Sequence, residues 1–181
     1  MSSQASIRTH ADITLDQYPT PLEKFYHNEK ALADRLCFVQ PHEDGRIEEF
    51  TWRQHADHVR RMAAYLQSLN LEPGSRIAIM SSNCAHWIMA DFAIWMAGHI
   101  SVPLYPVLSA NSIQQILEHS EAKALFVGKL DGWKAMSAGV PESVHTIAMP
   151  LAPDSADTRV NWNEIIDTTA PMSESPTFDR Q

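Results

Sequence analysis

Positive charge is scarce in this chain: 14 Lys and Arg stand against 22 Asp and Glu, leaving a formal charge of −8 at pH 7. That deficit argues against sequence-independent nucleic-acid binding, in which cationic side chains neutralise phosphates. A local basic pocket for an anionic cofactor is still compatible with it. Glycine is also sparse, with six residues that never form G-x-G-x-x-G or G-x-x-x-x-G-K-[ST]. The fingerprints of a dinucleotide site and of a Walker-type site are therefore missing. Cys37 and Cys84 are the only cysteines. They lie in separate apolar segments without metal-ligand spacing, as buried thiols of a reducing compartment do. The longest apolar stretch, Trp87 to Gly98, is too short to span a bilayer and carries Asp91. Insertion is excluded on that reading, and peripheral membrane contact stays open. The first residues, MSSQASIRTHADI, have no apolar signal core, which argues against secretion.

What is present is a globular composition, 44% hydrophobic and 20% charged over 181 residues, enough for one domain with a core. Met1 to Tyr18 lacks periodicity and reads as an extended arm. Thr20-Pro21-Leu22-Glu23 has the spacing of a capping box with proline in the first helical turn. Leu36–Gln40 and Ile47–Phe50 read as two strands of a hairpin turning at Glu43-Asp44-Gly45-Arg46. Thr51 to Gln54 opens a second helix, with Val59, Met62, Ala63, Leu66 and Leu69 on one stripe. Next come strands at Arg76–Met80, Ile100–Tyr105, Ala124–Val127 and Val144–Ala148, the last one expected. Helices are expected between them at Ala85–Ala97, around Ile113, Ile116 and Leu117, and at Asp131–Ala138. Such alternation predicts an α/β fold, a parallel doubly wound sheet with flanking helices plus a small β-hairpin. Pro103 should sit at an edge, a bulge or a strand end, because it lacks an amide donor. Pro150–Thr158 reads as a surface loop and Trp162–Ile166 as a short helix docked on the body. Thr168–Gln181 has little to bury and reads as a linker or frayed end.

His55 and His58 have a spacing that two metal ligands can use, but no third ligand is evident; the bland reading is a partly exposed structural pair. Asp91, alone in an apolar helix, is read as reaching a loop amide, an arginine or solvent rather than as a perturbed active-site carboxylate. The Met and Trp residues around it are read as core filling in preference to an acyl tunnel. Ser81-Ser82-Asn83 follows a strand's carboxyl end, where ligands bind in open α/β sheets. Helix capping is the more ordinary role for such residues. Leu104-Tyr105-Pro106 occupies the same place after the next strand, and Lys129 and Lys134 follow the strand after that. As surface lysines, both are solvated by default.

The block Phe50–Val127 carries a set of pieces in a fixed order. They are Thr51-Trp52, Ser75-Arg76-Ile77-Ala78-Ile79, Asn83 with Trp87, Ala97-Gly98, Val102-Pro103-Leu104-Tyr105-Pro106 and His119-Ser120-Glu121-Ala122-Lys123. In order and spacing the block resembles the N-terminal region of the adenylate-forming acyl-CoA synthetases of the AMP-binding superfamily. Val102–Pro106 and Gly128–Trp133 are most similar to bacterial long-chain fatty acid–CoA ligases. The resemblance implies a Rossmann-like or flavodoxin-like sheet. It implies a full-length enzyme that uses ATP, Mg²⁺ and CoA to turn a long-chain fatty acid into its acyl-adenylate and then its thioester. The turn at Tyr105 and Pro106 would lie near the nucleotide end of CoA, with Lys129 and Lys134 as contacts for a CoA phosphate. No catalytic or metal-binding residue carries over, because the family's phosphate loop is expected beyond Gln181. The implied organisation is an arm over 1–18, an α/β subdomain over 19–167, and a linker over 168–181 cut before the phosphate loop. Such a piece is expected to be inactive alone, to lean on the rest of the same enzyme, and to self-associate through the helix Trp87–Ala97. Its place is cytoplasmic or membrane-peripheral. The competing reading is a freestanding, non-catalytic interaction module that keeps the fold, and the coding frame beyond Gln181 would distinguish the two.

Overall fold

The computed structural model describes residues 18–178. The expected arm thus lies outside the described residues except for Tyr18. Helix α1 (Pro21–Ala31) opens on a reciprocal cap: the Glu23 amide donates to Thr20 Oγ1 (3.2 Å) and the Thr20 amide to Glu23 Oε2 (2.6 Å). Strands β1 (Leu36–Pro41) and β2 (Ile47–Thr51) pair antiparallel, and Gly45 in their turn takes φ +82°. A residue without Cβ adopts that conformation at no steric cost. Helix α2 (Trp52–Ser68) repeats the reciprocal cap with Thr51 and Gln54.

Five parallel strands follow: β3 (Arg76–Met80), β4 (Ile100–Leu104), β5 (Ala124–Val127), β6 (His145–Ala148) and β7 (Val160–Asn161). Their order in the sheet is β4-β3-β5-β6-β7. Helices α3 (Ala85–Met96), α4 (Ala110–His119) and α5 (Trp133–Met136) make the crossovers, and α6 (Trp162–Thr168) follows β7. The chain steps outward from β3 to β4, returns past β3 to β5, and continues to β7. Crossovers of one hand then place α3 on one face and α4 with α5 on the other, the doubly wound arrangement. Pro103 sits in β4, the edge strand, whose ladder partner is β3. Val144–Ala148 is not the final strand, because β7 pairs beyond it, with Val160 beside Ile147 and Asn161 beside Ala148. Two residues are too few to show an alternating pattern, so β7 is defined by its backbone pairing alone.

Strand residues alternate between the faces. Ile77, Ile79, Phe126 and Ile147 meet Met62, Leu66, Met89, Ile94 and Trp162 from α2, α3 and α6. Ala78, Met80, Leu125 and Val127 turn the other way, onto Ile113, Leu117 and Trp133. Each large aliphatic side chain so buried contributes roughly 1.5–3 kcal/mol. The stretch after α6, which reads as a linker or frayed end, lies against the body as far as Phe178. The Met172 amide donates to the Arg60 carbonyl (3.2 Å), and Tyr26 Oη donates to the Pro176 carbonyl (2.9 Å). Polar contacts to backbone carbonyls hold this stretch, so its poverty in apolar side chains is no bar to docking.

Candidate functional site

Strands β3, β4 and β5 end at one level, with Met80 in register with Leu104 on one side and Val127 on the other. The turns Ser81–Cys84, Tyr105–Pro106 and Gly128–Lys129 therefore meet at the carboxyl rim of the sheet. Strand order reverses between β3 and β5, and open α/β sheets bind ligands in the crevice outside such a point. Here that crevice is laced shut. The Ser82 amide donates to the Lys129 carbonyl (2.9 Å), the Lys129 amide to Ser81 Oγ (2.9 Å), and the Gly128 amide to the Met80 carbonyl (3.0 Å). Ser81 Oγ itself donates to the Ser82 carbonyl (2.6 Å). A Cβ on Gly128 would lie 2.4 Å from both Ser81 Oγ and Met149 Cε, so the two turns approach closely only because this residue is glycine.

The capping role expected of Ser81-Ser82-Asn83 is corrected. Cys84 occupies the cap position of α3 and makes no side-chain cap bond. The open Ala85 amide is taken instead by Gln40 Oε1 (2.9 Å) from β1, while Gln40 Nε2 donates to the Pro41 carbonyl (2.7 Å). Ser81 is unsuited to capping because its hydroxyl already serves the Lys129 amide. Nothing local in the sequence marks Gln40, which lies 45 residues before the helix start that it caps.

Open space lies on either side of the laced crevice. On one side Tyr105, 78% exposed, borders a cleft of about 310 Å³ with Pro106, Pro103, Trp87 and Asn83. On the other, Lys129 borders a cleft of about 360 Å³ with Phe38, Val39, Ile88 and Asn83. Asn83 is exposed and common to both. Lys129 Nζ lies 3.6 Å from Glu43 Oε1 of the hairpin turn, so its charge is partly matched already. The structure thus groups Tyr105, Pro106 and Lys129 around Asn83. Lys134 is exposed on α5 and lines neither cleft. The rim offers a stacking ring, an amide and one ammonium group, a set that can hold the base and phosphate of a nucleotide.

The remaining candidates resolve as structural groups. His55 is not partly exposed: it is 1% exposed, with Phe25 and Phe38 edge-on at 5.1 and 4.9 Å between ring centroids. Burial, with the nearby His58 adding to it, pushes its imidazole down to about 4. A ring so desolvated favours the neutral form. His58 Nδ1 instead accepts from Trp162 Nε1 (3.4 Å). Among the described residues no group of three His, Cys, Asp or Glu is placed to hold a metal ion. Burial raises the Asp91 carboxyl, and the Ser101 hydroxyl of β4 partly offsets that rise. Asp91 is half-buried, so among the expected contacts solvent stands. Both thiols are free and half-buried, and burial pushes Cys37 up to about 11. The apolar patch expected on α3 is largely covered: Met89, Ala93, Ile94 and Met96 are buried, and Trp87 and Trp95 half-buried. The large apolar side chains most exposed among the described residues lie elsewhere, at Val107, Tyr105 and Ile47.

The AMP-binding enzyme family matches residues 25–180. The chain belongs to that family. A CoA ligase of Mycobacterium tuberculosis, named for an octahydro-indenyl propanoyl substrate, is 34% identical over 148 residues, 77% of this chain and 28% of the relative. A long-chain-fatty-acid–CoA ligase of Mycobacterium bovis is 30% identical over 138 residues, 76% of this chain and 23% of the relative. The chain thus spans about a quarter of the length of these curated relatives. Among solved structures, a benzoate CoA ligase from Burkholderia xenovorans superposes with a TM-score of 0.70 at 20% identity. That likeness covers 87% of this chain and 30% of the other, and it concerns the fold.

Proposed function

We propose that this chain is the N-terminal α/β domain of an acid–CoA ligase whose substrate is a long-chain fatty acid. The observation that carries the reading is the family match across residues 25–180. The domain plan that goes with it is an α/β unit over residues 19–167, with 168–181 leading toward the phosphate loop. The whole enzyme would join the carboxylate to the α-phosphate of ATP, release pyrophosphate, and then let the CoA thiol displace AMP. Both steps place negative charge on oxygen and need donors and cations fixed in advance. The rim fits the nucleotide end of CoA: the exposed Tyr105 ring and Pro106 offer a face for the base, Asn83 an amide, and Lys129 a cation for a phosphate. Lys134 is at most a remote electrostatic contributor. Residues that would hold Mg²⁺ or orient the α-phosphate have no counterpart at the rim, so no catalytic step is assigned to this domain.

Fatty acid as substrate draws support from the Mycobacterium bovis relative and from the Val102–Pro106 and Gly128–Trp133 stretches. An apolar acid also suits a cytoplasmic or membrane-peripheral enzyme, and no helix among the described residues is long and apolar enough to cross a membrane. The test is pyrophosphate release with ATP, CoA and either palmitate or benzoate, run on this chain and on the full-length protein. The expected result is turnover by the full-length protein with palmitate and none by the chain alone. Clear turnover by the chain would place the active site within these 181 residues and overturn the reading, and a full-length enzyme that takes benzoate alone would replace the long-chain assignment.

A further inference from the structure

Arg60 projects from α2 into the seam between α1 and the segment Met172–Phe178. Its Nε and Nη2 donate to Glu29 Oε2 (3.0 Å) and Oε1 (2.5 Å). Its Nη1 donates to the carbonyls of Met172 (3.1 Å) and Glu174 (2.6 Å), and Nη2 also reaches Ser175 Oγ (2.9 Å). All five guanidinium N–H donors are thereby supplied with acceptors. The pair is secluded, with the Arg60 side chain 13% and the Glu29 side chain 9% exposed. Tyr26, whose hydroxyl holds the Pro176 carbonyl, places its ring 5.7 Å from Arg60 Cζ. Arg61 continues the pattern, donating to the carbonyls of Ile166 (3.3 Å) and Thr169 (2.8 Å). A secluded guanidinium paired with Glu29 alone would keep three donors unmet, which is costly away from water. The segment therefore completes the ion pair as much as the ion pair retains the segment.

We propose that Arg60, Glu29 and Tyr26 form a clasp that fixes Met172–Phe178 as a strap, with Arg60 the positioning residue that sets where the chain leaves this domain. The strap also walls a cleft of about 450 Å³, in which Pro176 and Phe178 line one side and Tyr26, Trp95 and His99 the other. The clasp itself needs no ligase reading. Its consequence does: in an acid–CoA ligase the chain beyond the strap would run to the phosphate loop, and the clasp would anchor the root of that loop.

The strap carries its own reporter. A glutamyl-specific endopeptidase cuts after Glu174, whose carbonyl is one that Arg60 holds, and cutting needs the local segment to open. Intact-mass analysis of this chain should show slow cutting at Glu174. Arg60→Ala should accelerate it on the order of ten- to a hundredfold, as expected for hydrogen bonds to a charged group. Arg60→Lys, a point charge without the planar fork, should fall between the two. Tyr26→Phe should raise the rate a few fold with the unfolding midpoint unchanged, and it carries the test with Arg60→Lys if Arg60→Ala does not fold. Cutting of the parent chain at the Arg60→Ala rate would overturn the clasp. So would unchanged rates in all variants, or an equal acceleration at Glu118 in α4. If the full-length protein forms no acyl-adenylate, the ligase reading falls while the proteolysis result stands.

Discussion

The two faces of the sheet share their strands but differ in chemistry. The face under α1, α2, α3 and α6 is thick and aromatic, with Phe25, Phe126 and Trp162 almost fully buried and the imidazoles of His55 and His86 sealed among them. The face under α4 and α5 is thinner and mainly aliphatic, built on Ile113, Leu117, Leu125 and Val127, and the ring contacts of His55 and His86 all lie on the other face. Depth on the first face is what permits buried titratable rings, and those rings make it the acid-sensitive half of the domain. The second face gains its stability from packing alone.

Truncation should show the largest effect. Phe126→Ala removes a fully buried ring from the thick face and should cost about 3–5 kcal/mol of unfolding free energy, read by urea denaturation. Leu125→Ala, its neighbour on the thin face, should cost about 2–5 kcal/mol, and the comparison sharpens if the thin face relaxes more readily into the space.

Acid comes next and separates the faces more cleanly. Burial foremost, then the His58 charge, pushes His55 and His86 down to about 4 from an ordinary 6.5. Both rings are neutral in the fold and bind protons more readily once unfolded. Their contribution is thus fully present above about pH 6.5 and is lost as pH falls toward 4, on the order of 3 kcal/mol for each ring. Denaturation curves from pH 7 to 4 should show that decline in the parent chain and in Leu125→Ala, and a shallower one in His55→Phe. Equal slopes in all three would mean that the buried imidazoles are not what links stability to pH.

Two smaller effects fall where the faces meet, at the rim. Gly128→Ala forces a methyl against Ser81 and Met149 and should cost about 1–3 kcal/mol, with the loss visible as a lower melting temperature. Lys129→Ala leaves the laced backbone intact and breaks a pair whose Glu43 side chain is 89% exposed. Its effect should stay within about 1 kcal/mol. A large loss would show that the Lys129 side chain, and not its backbone, closes the crevice.

What the sequence reveals here is divided by distance along the chain. The caps at Thr20 and Thr51 are legible because donor and acceptor lie three residues apart. The parallel sheet is legible because apolar runs alternate with amphipathic helices, and the placing of Tyr105 and Lys129 at the same rim, in separate clefts, follows because both lie just past strand ends. Gln40 on the Ala85 amide spans 45 residues, and Arg60 on Glu174 spans 114. No local pattern announces such contacts, and β7 is too short to have a pattern. The expected partial exposure holds at His58 and fails at His55 for a related reason: helical spacing fixes the side that His55 occupies but not the Phe25, Phe38 and Phe92 rings brought over it from three other elements.

Gln40 has one further consequence. The hairpin looks like an appendage, a two-stranded ribbon outside the main sheet, yet its amide closes the amino end of α3 at a position where the helix brings no cap of its own. Ribbon and helix are therefore a matched pair in any exchange of parts between related proteins. A hairpin transplanted from a relative with an aliphatic residue at this position would deliver a helix with an unsatisfied buried amide, at a cost of about 1–3 kcal/mol. The natural boundary for chimeras lies before β1, with Gln40 and α3 inherited together.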